Sequence, residues 1–320
     1  MKYIRLNSTN QYYNLAIEEY LLNHSDNDIF MLWQNSPVVV IGRNQNAYAE
    51  VNLEYARVND IHVCRRITGG GAVYHDLGNL NYTFITSEKK AKALDYAYFT
   101  QPIIDALASL GLKCTLSGRN DLECEGKKFS GNAQYASNGR ILHHGTLLFV
   151  TDVSVLSSVL KVDKEKLEYK AVKSHKSRVV NLLSLLSEKI SINEFIEYIE
   201  KYVLENLGAE KITVDNNDEI TRLYERNHKD EWIFSNKRYL TDYTLHKRRK
   251  YPFGIVNLEI KLTKDIIEDI VISGDFFGLR DTEELESYLV GKSRKILDYI
   301  DVSLYIDNMT FEEFCQLIND

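Results

Sequence analysis

The sequence predicts an α+β fold: a mainly antiparallel or mixed sheet flanked by helices, with a second, smaller α+β domain at the C-terminal end. Three observations lead there. Strand-like and helical stretches are interleaved irregularly, without the regular βαβ rhythm of a doubly wound parallel sheet. Four strand-like runs follow one another between residues 112 and 150 with only turns between them. A break in pattern over residues 239–251 sets off about 70 residues with a strand pair and helices of their own. The expected domains are residues 1–245 and 246–320.

Taken in order, Asn14 reads as the cap of a helix over 14–23, with Leu15, Ile17, Leu21 and Leu22 at helical spacing. Runs at 29–33 and 38–42, broken by Asn35-Ser36-Pro37, carry a hairpin-type signal. Residues 52–58 suggest a short helix, and 61–66, 72–75 and 79–86 read as strands. A long helix over 95–110 stops at Gly111, the usual residue just past a helix end. Strands are expected at 112–117, 122–125, 127–133 and 141–150, and helices dominate from 153 to about 225. Paired strands at 255–262 and 266–273 precede helices near 282–289, 293–297 and 311–318.

The chain has 320 residues, a formal charge of −7, 27% charged and 44% hydrophobic residues. That composition supports a sizeable core and excludes a disordered chain or a generic basic nucleic-acid binder. No apolar run approaches the ~20 residues of a membrane span, and the amino terminus lacks a signal-peptide pattern. Cys64, Cys114, Cys124 and Cys315 show no zinc spacing, so free thiols in the cytoplasm are expected. Lys247-Arg248-Arg249-Lys250 reads as a solvated linker, with attraction of acidic partner domains as the second reading.

Arg65-Arg66-Ile67-Thr68-Gly69-Gly70-Gly71-Ala72-Val73-Tyr74-His75 is the most informative stretch. Consecutive glycines let a backbone approach a ligand and turn its N–H groups to anionic oxygens, and a neighbouring arginine can fork onto them. A plain flexible loop is the competing reading. Neither familiar phosphate motif fits: G-x-G-x-x-G would need glycine at Tyr74, and a P-loop ending in Gly291-Lys292-Ser293 would need one at Glu286.

Further on stand Gly118-Arg119-Asn120-Asp121, Gly126-Lys127-Lys128-Phe129-Ser130-Gly131-Asn132-Ala133, His143-His144-Gly145-Thr146-Leu147-Leu148 and Ser177-Arg178-Val179-Val180-Asn181-Leu182. With the triple-glycine loop, this ordered set closely resembles the lipoate–protein ligases of the biotin/lipoate ligase superfamily, whose catalytic fold is akin to class II synthetases. The last 70 or so residues resemble that family's small accessory domain more loosely, through Phe253-Gly254 and the strand pair.

The resemblance implies two half-reactions: lipoate and ATP give lipoyl-AMP, and the lipoyl group then passes to a lysine of an acceptor domain. Both develop negative charge on oxygen, which fixed donors and cations stabilise. It assigns Lys128 as the catalytic cation touching both reactants. Strand parity pairs Lys128 with Ser130 and Lys127 with Phe129 without saying which face meets the ligand. It places Arg66, Gly71, Ala72, Val73, Tyr74, Asn120 and Asp121 around ATP or the adenylate, with Arg65 turned outward. It places Thr68, Gly69, Gly70, His75, His144 and Gly145 with Lys128 around lipoate. His75 either orients a phosphate or satisfies a buried carbonyl, and adjacent His143 and His144 should point oppositely. Asp121 either holds Mg2+ or pairs with Lys128. The implied partners are lipoyl domains of 2-oxoacid dehydrogenase E2 subunits and the glycine cleavage H protein, with no nucleic acid and no membrane. Competing readings are an octanoyl- or lipoyl-transferase working through a Cys114 or Cys124 thioester, a biotin ligase, and a non-catalytic lipoate-binding protein.

Overall fold

The computed structural model describes residues 1–161, 179–234, 243–295 and 297–320. Its strands are β1 Lys2–Arg5, β2 Ile29–Trp33, β3 Val38–Ile41, β4 His62–Arg65, β5 Val73–His75, β6 Asn79–Ser87, β7 Cys114–Ser117, β8 Asp121–Cys124, β9 Lys127–Ser137, β10 Arg140–Leu148, β11 Glu210–Lys211, β12 Leu245–Tyr251, β13 Gly254–Thr263 and β14 Ile266–Gly274. Eight of them form one mixed sheet in the order β11-β1-β2-β6-β10-β9-β8-β7, parallel only at the β11–β1–β2 edge. A small sheet β4-β3-β5 lies beside it, and β12-β13-β14 form an antiparallel C-terminal sheet. The fold is α+β, as expected.

Helices bury the two faces of the large sheet. Tyr96–Ser109 and Ile192–Asn206 supply Phe99, Ile103, Phe195 and Ile199 to one core. Gln11–His24 and Asp218–Asn227 supply Leu15, Leu22, Ile220 and Leu223 to the other. Ser191 and Thr310 each start a helix through a reciprocal capping box with Glu194 or Glu313, which satisfies two orphan backbone donors per helix. Among the described residues no helix is long and apolar enough to cross a membrane.

Four local expectations are corrected. The first helix is capped by Asn10, not Asn14: Asn10 accepts from the backbone of Tyr12 and Tyr13, while Asn14 is buried inside the helix. The segments around Asn35-Ser36-Pro37 make no hairpin, because β2 pairs with β1 and β6 whereas β3 pairs with β4 and β5. Every residue of β2 and β3 is buried, so each belongs inside a sheet, and the Asn35 turn signal is spent on side-chain bonds to Asn14 and His75.

The basic run is a strand rather than a linker. Its His246 and Arg248 pair across to Glu259 and Asn257, and Arg249 binds Asp320. These cross-strand partners offset the repulsion within the run. Residues 293–295 form no helix: Ser293 bridges Ile266, and Arg294 and Lys295 both reach Asp265. The helical stretch expected beyond 153 lies partly at 162–178, outside the described residues, as do Ser177 and Arg178.

Candidate active site

A cavity of about 140 Å³ opens where the glycine loop, β9, β10 and the segment after β14 meet. Its walls include Arg66, Lys128, Trp33, His75, His144 and Phe277.

The loop after β4 is organised from within by Arg66, which is only 6% exposed. Its Nε donates to Thr68 Oγ1 at 2.9 Å, Nη1 to Val40 O at 3.1 Å, and Nη2 to Gly69 O at 2.6 Å and Gly71 O at 2.9 Å. Four of the five N–H groups of a guanidinium are thereby used on the loop and its neighbouring strand. Burial pulls its pKa down to about 10, which leaves it charged at neutral pH. Arg65 is not the outward neighbour that was expected. It is 3% exposed and donates to the carbonyls of Gly42, Arg43, Gln45, Trp232 and Ile233. An arginine can stay buried when its fork meets that many carbonyl oxygens.

Lys128 is held differently. Its Nζ lies 2.7 Å from Asp121 Oδ1, with both side chains about one-third exposed (37% and 33%). A bulge opposite Leu122 and Glu123 makes Phe129 the extra residue of β9, so simple parity fails there. Lys128 lies over Gly131 rather than pairing with Ser130: a Cβ on Gly131 would stand 3.3 Å from Nζ. Lys127 is exposed and lies outside the cavity. Asn120 and Asn132 bind each other's backbone carbonyls at 2.8 and 2.9 Å, which anchors the β7–β8 turn beside Lys128. Val180 N donates to Lys128 O at 2.9 Å, so the 179–180 segment braces the lysine's backbone.

The two adjacent histidines do point oppositely. His143 stacks on Phe99 at 4.9 Å and binds Gln134 and Asn132, and burial drives its pKa well below the ordinary range. His144 faces the cavity. Its Nε2 is 2.9 Å from Thr68 Oγ1 and its Nδ1 is 3.1 Å from Glu18 Oε1. Thr83 Oγ1 donates to the same Glu18 oxygen at 2.5 Å. The Glu18 carboxylate only accepts, so His144 Nδ1–H donates to it, and Nε2 is left to accept from the Thr68 hydroxyl, whose oxygen accepts from Arg66. One directional chain thus runs from Arg66 to a buried carboxylate.

Of the other expected residues, Gly71, Ala72, Val73, Asn120 and Gly145 line the cavity. Gly145 is required by packing: a Cβ there would meet Asn132 Oδ1 at 2.1 Å. Gly69 and Gly70 turn away, toward Phe276 and Phe277, with Gly70 N donating to Phe276 O at 2.9 Å. Tyr74 is buried in the small-sheet core with Val39 and Ile41 and does not line the cavity. Among the described residues no group of three His, Cys, Asp or Glu side chains is placed to hold a metal.

Sequence reasoning missed Glu18, Trp33, Asn81, Asn132 and Phe277. A signal existed for Glu18, an acid one helical turn from Leu15, Leu21 and Leu22 on the apolar stripe. Phe277 comes from beyond β14 and is fixed by Arg119, whose guanidinium lies 4.2 Å from its ring centroid while Nη1 reaches Asp307 Oδ2 at 2.7 Å. No local pattern links those three positions.

Residues 10–204 match the family described as "Lipoyl protein ligase A/B catalytic domain", and residues 241–318 match "Bacterial lipoate protein ligase C-terminus". "Lipoate-protein ligase LplJ" of Bacillus subtilis (strain 168) is 39% identical over 319 residues, covering 95% of this chain and 96% of that protein. "Lipoate--protein ligase 1" of Staphylococcus aureus (strain Mu50) is 37% identical over 296 residues, covering 91% and 90%. This chain belongs to the lipoate-protein ligase family. The crystal structure of P. falciparum LipL1 in complex with lipoate shares the fold, with a TM-score of 0.80 at 23% identity over 98% of this chain and 97% of that one. A lipoate-protein ligase A bound with ATP matches with a TM-score of 0.61 at 27% identity, covering 73% of this chain and 98% of that one.

Proposed function

We propose that this chain joins lipoate to ATP, giving lipoyl-AMP and pyrophosphate, and then passes the lipoyl group to a lysine of a lipoyl acceptor domain. The acceptors are E2 subunits of 2-oxoacid dehydrogenases or the glycine cleavage H protein. The reaction runs in the cytoplasm, the compartment that its free cysteines suit. The observation that carries the reading is Lys128, an ammonium lining the same cavity as the glycine loop that Arg66 organises. Relatives named as lipoate-protein ligases over most of the chain, and a neighbour with ATP bound, support it.

In this reading Lys128 lies between the lipoyl carboxylate and the α-phosphate and stabilises charge on both. Gly71, Ala72 and Val73 supply backbone contacts to the nucleotide, and the remaining Arg66 N–H faces its phosphates. Tyr74 acts only by holding the small sheet behind that loop. Thr68 and His144 shape the lipoyl side, and Gly69 and Gly70 seat the loop against the C-terminal sheet. The catalytic part spans residues 1–245 and the accessory part 246–320.

Asp121 suits Mg2+: a part-exposed carboxylate beside a phosphate-binding lysine fits a cation held mostly by water and nucleotide oxygens. When bound, that ion neutralises phosphate charge. A cysteine thioester route is unsupported. Cys114 and Cys124 are buried opposite each other across β7–β8, and burial pushes the Cys114 thiol up to about 12.

Incubation with lipoate, ATP and an acceptor domain tests the reading. AMP release with one lipoyl mass added to the acceptor is expected. Transfer from an acyl donor without ATP would make the chain a transferase, and lipoate binding without either product would make it a carrier.

A further inference from the structure

Two residues that line the cavity, His75 and Asn81, each carry a buried nitrogen without a partner among the described residues, Nε2 and Nδ2 respectively. A chain of amides fixes the first. Asn14 Nδ2 donates to the carbonyls of Ser8 at 3.1 Å and Gln34 at 2.9 Å, so the Asn14 amide can face only one way. That same Nδ2 reaches Asn35 Oδ1 at 3.0 Å, which turns Asn35 Nδ2 toward His75 Nδ1 at 3.1 Å. Nδ1 therefore accepts, and the imidazole proton sits on Nε2. Burial, with Arg66 and His144 nearby, lowers the His75 pKa to about 3 and keeps the ring neutral.

Asn81 is the second donor. Its Oδ1 accepts from Asn79 at 2.9 Å, and its register partner across β2–β6 is Trp33. The His75 ring also meets the Trp33 indole edge-on, 6.4 Å between centroids. Trp33, His75 and Asn81 thus form one wall, with Leu15 and Val40 lining the same cavity. Trp33 on β2 lies three strand spacings from β9 and Asn81 on β6 lies two, about 14 and 10 Å across the sheet from the strand of Lys128.

An apolar wall with two unsatisfied donors is unfavourable unless a ligand atom accepts from them. Resting on the lipoate reading above, the chain's carboxyl end belongs beside Lys128, so its sulfur-bearing ring meets this wall. We infer that His75 Nε2–H and Asn81 Nδ2–H select the dithiolane sulfurs and so discriminate lipoate from the sulfur-free eight-carbon acid, octanoate. Sulfur accepts weakly, so the selection is modest. A plain methylene tip instead leaves both donors unpaired.

The experiment titrates the protein with lipoate and with octanoate in the absence of nucleotide, then compares adenylation of each with ATP. The wild-type chain is expected to prefer lipoate by about tenfold or more. His75→Leu and Asn81→Leu should each reduce that ratio severalfold, by weakening lipoate and strengthening octanoate. His75→Gln, whose amide nitrogen can stand where Nε2 does, should retain most of it. Should one leucine variant lose its native circular dichroism, the other carries the test. Equal weakening of both acids would place the donors on the shared carboxyl group and overturn the inference. An unchanged ratio would overturn it too, while leaving the ligase reading intact. A wild-type protein that bound neither acid would overturn both.

Discussion

Lys128 and Arg66 line one cavity and carry the same charge, yet the protein holds them in opposite ways. Lys128 is part-exposed and tied by a single ion pair to Asp121, a contact worth at most about 1 kcal/mol in that setting. Arg66 is buried and bonded to Thr68, Val40, Gly69 and Gly71, and through Thr68 and His144 it is tied to Glu18. Under the proposed function, the difference is one of task. A cation that serves successive charge distributions in two half-reactions needs freedom to shift. A cation that sets the shape of a glycine loop must not move at all.

Three changes sharpen that contrast, beginning with the largest effect. Arg66→Ala should cost about 3 kcal/mol or more in urea unfolding, because the carbonyls of Val40, Gly69 and Gly71 lose their donors. An unfolding midpoint equal to that of wild type would make the arginine a mere lining residue. Glu18→Gln comes next, at about 2 kcal/mol, since the bonds from Thr83 and His144 lose their charge assistance and an NH2 replaces one of the two carboxylate oxygens that face His144 Nδ1–H. Its lipoate affinity should fall as well, through displacement of Thr68. Gly70→Ala should cost about 1–2 kcal/mol from its left-handed backbone alone, at φ +89°. A Cβ there also meets the Phe277 ring at 2.7 Å, so faster proteolysis between the two sheets should accompany the loss.

The smallest effect concerns pH. His75 is buried neutral, with its pKa lowered from 6.5 to about 3, so the unfolded chain binds its proton first. Stability is then nearly complete above pH ~7.5 and declines as pH falls through the unfolded value toward the folded one, by about 0.8 kcal/mol between pH 7.5 and 6. His75→Gln should flatten that slope in thermal melts recorded across the range. An equal slope in the variant would assign it to other groups.

Much of the site was legible because it is local. The triple glycine and Lys-Lys-Phe-Ser-Gly mark a loop and a strand that bring Gly71, Lys128 and Gly131 to one cavity, and the pairing of β13 with β14 follows from their alternation. What escaped was decided by distant partners. Arg65 and Arg66 are neighbours of one type, yet one clamps carbonyls from the 232–233 segment and the other faces the cavity. Asn14 has the chemistry of a cap but is used to join Ser8, Gln34 and Asn35. A single bulged residue, Phe129, defeats the parity argument at the position where it mattered most. The strand at 245–251 has polar side chains on both faces, so it lacks the alternation by which strands are recognised.

The central claim is that Lys128 performs chemistry that the rest of the cavity only shapes. Lipoyl-AMP formation and thermal stability, measured on the same preparations of Lys128→Ala and Lys127→Ala, test it most directly. Losing a preorganised charge donor typically costs about 10²–10³ in rate, whereas losing one part-exposed ion pair leaves the melting temperature nearly unchanged. Lys128→Ala should therefore melt like wild type and form the adenylate at about a hundredth of its rate or less, with Lys127→Ala close to normal in both. Near-normal adenylate formation by folded Lys128→Ala would contradict the claim.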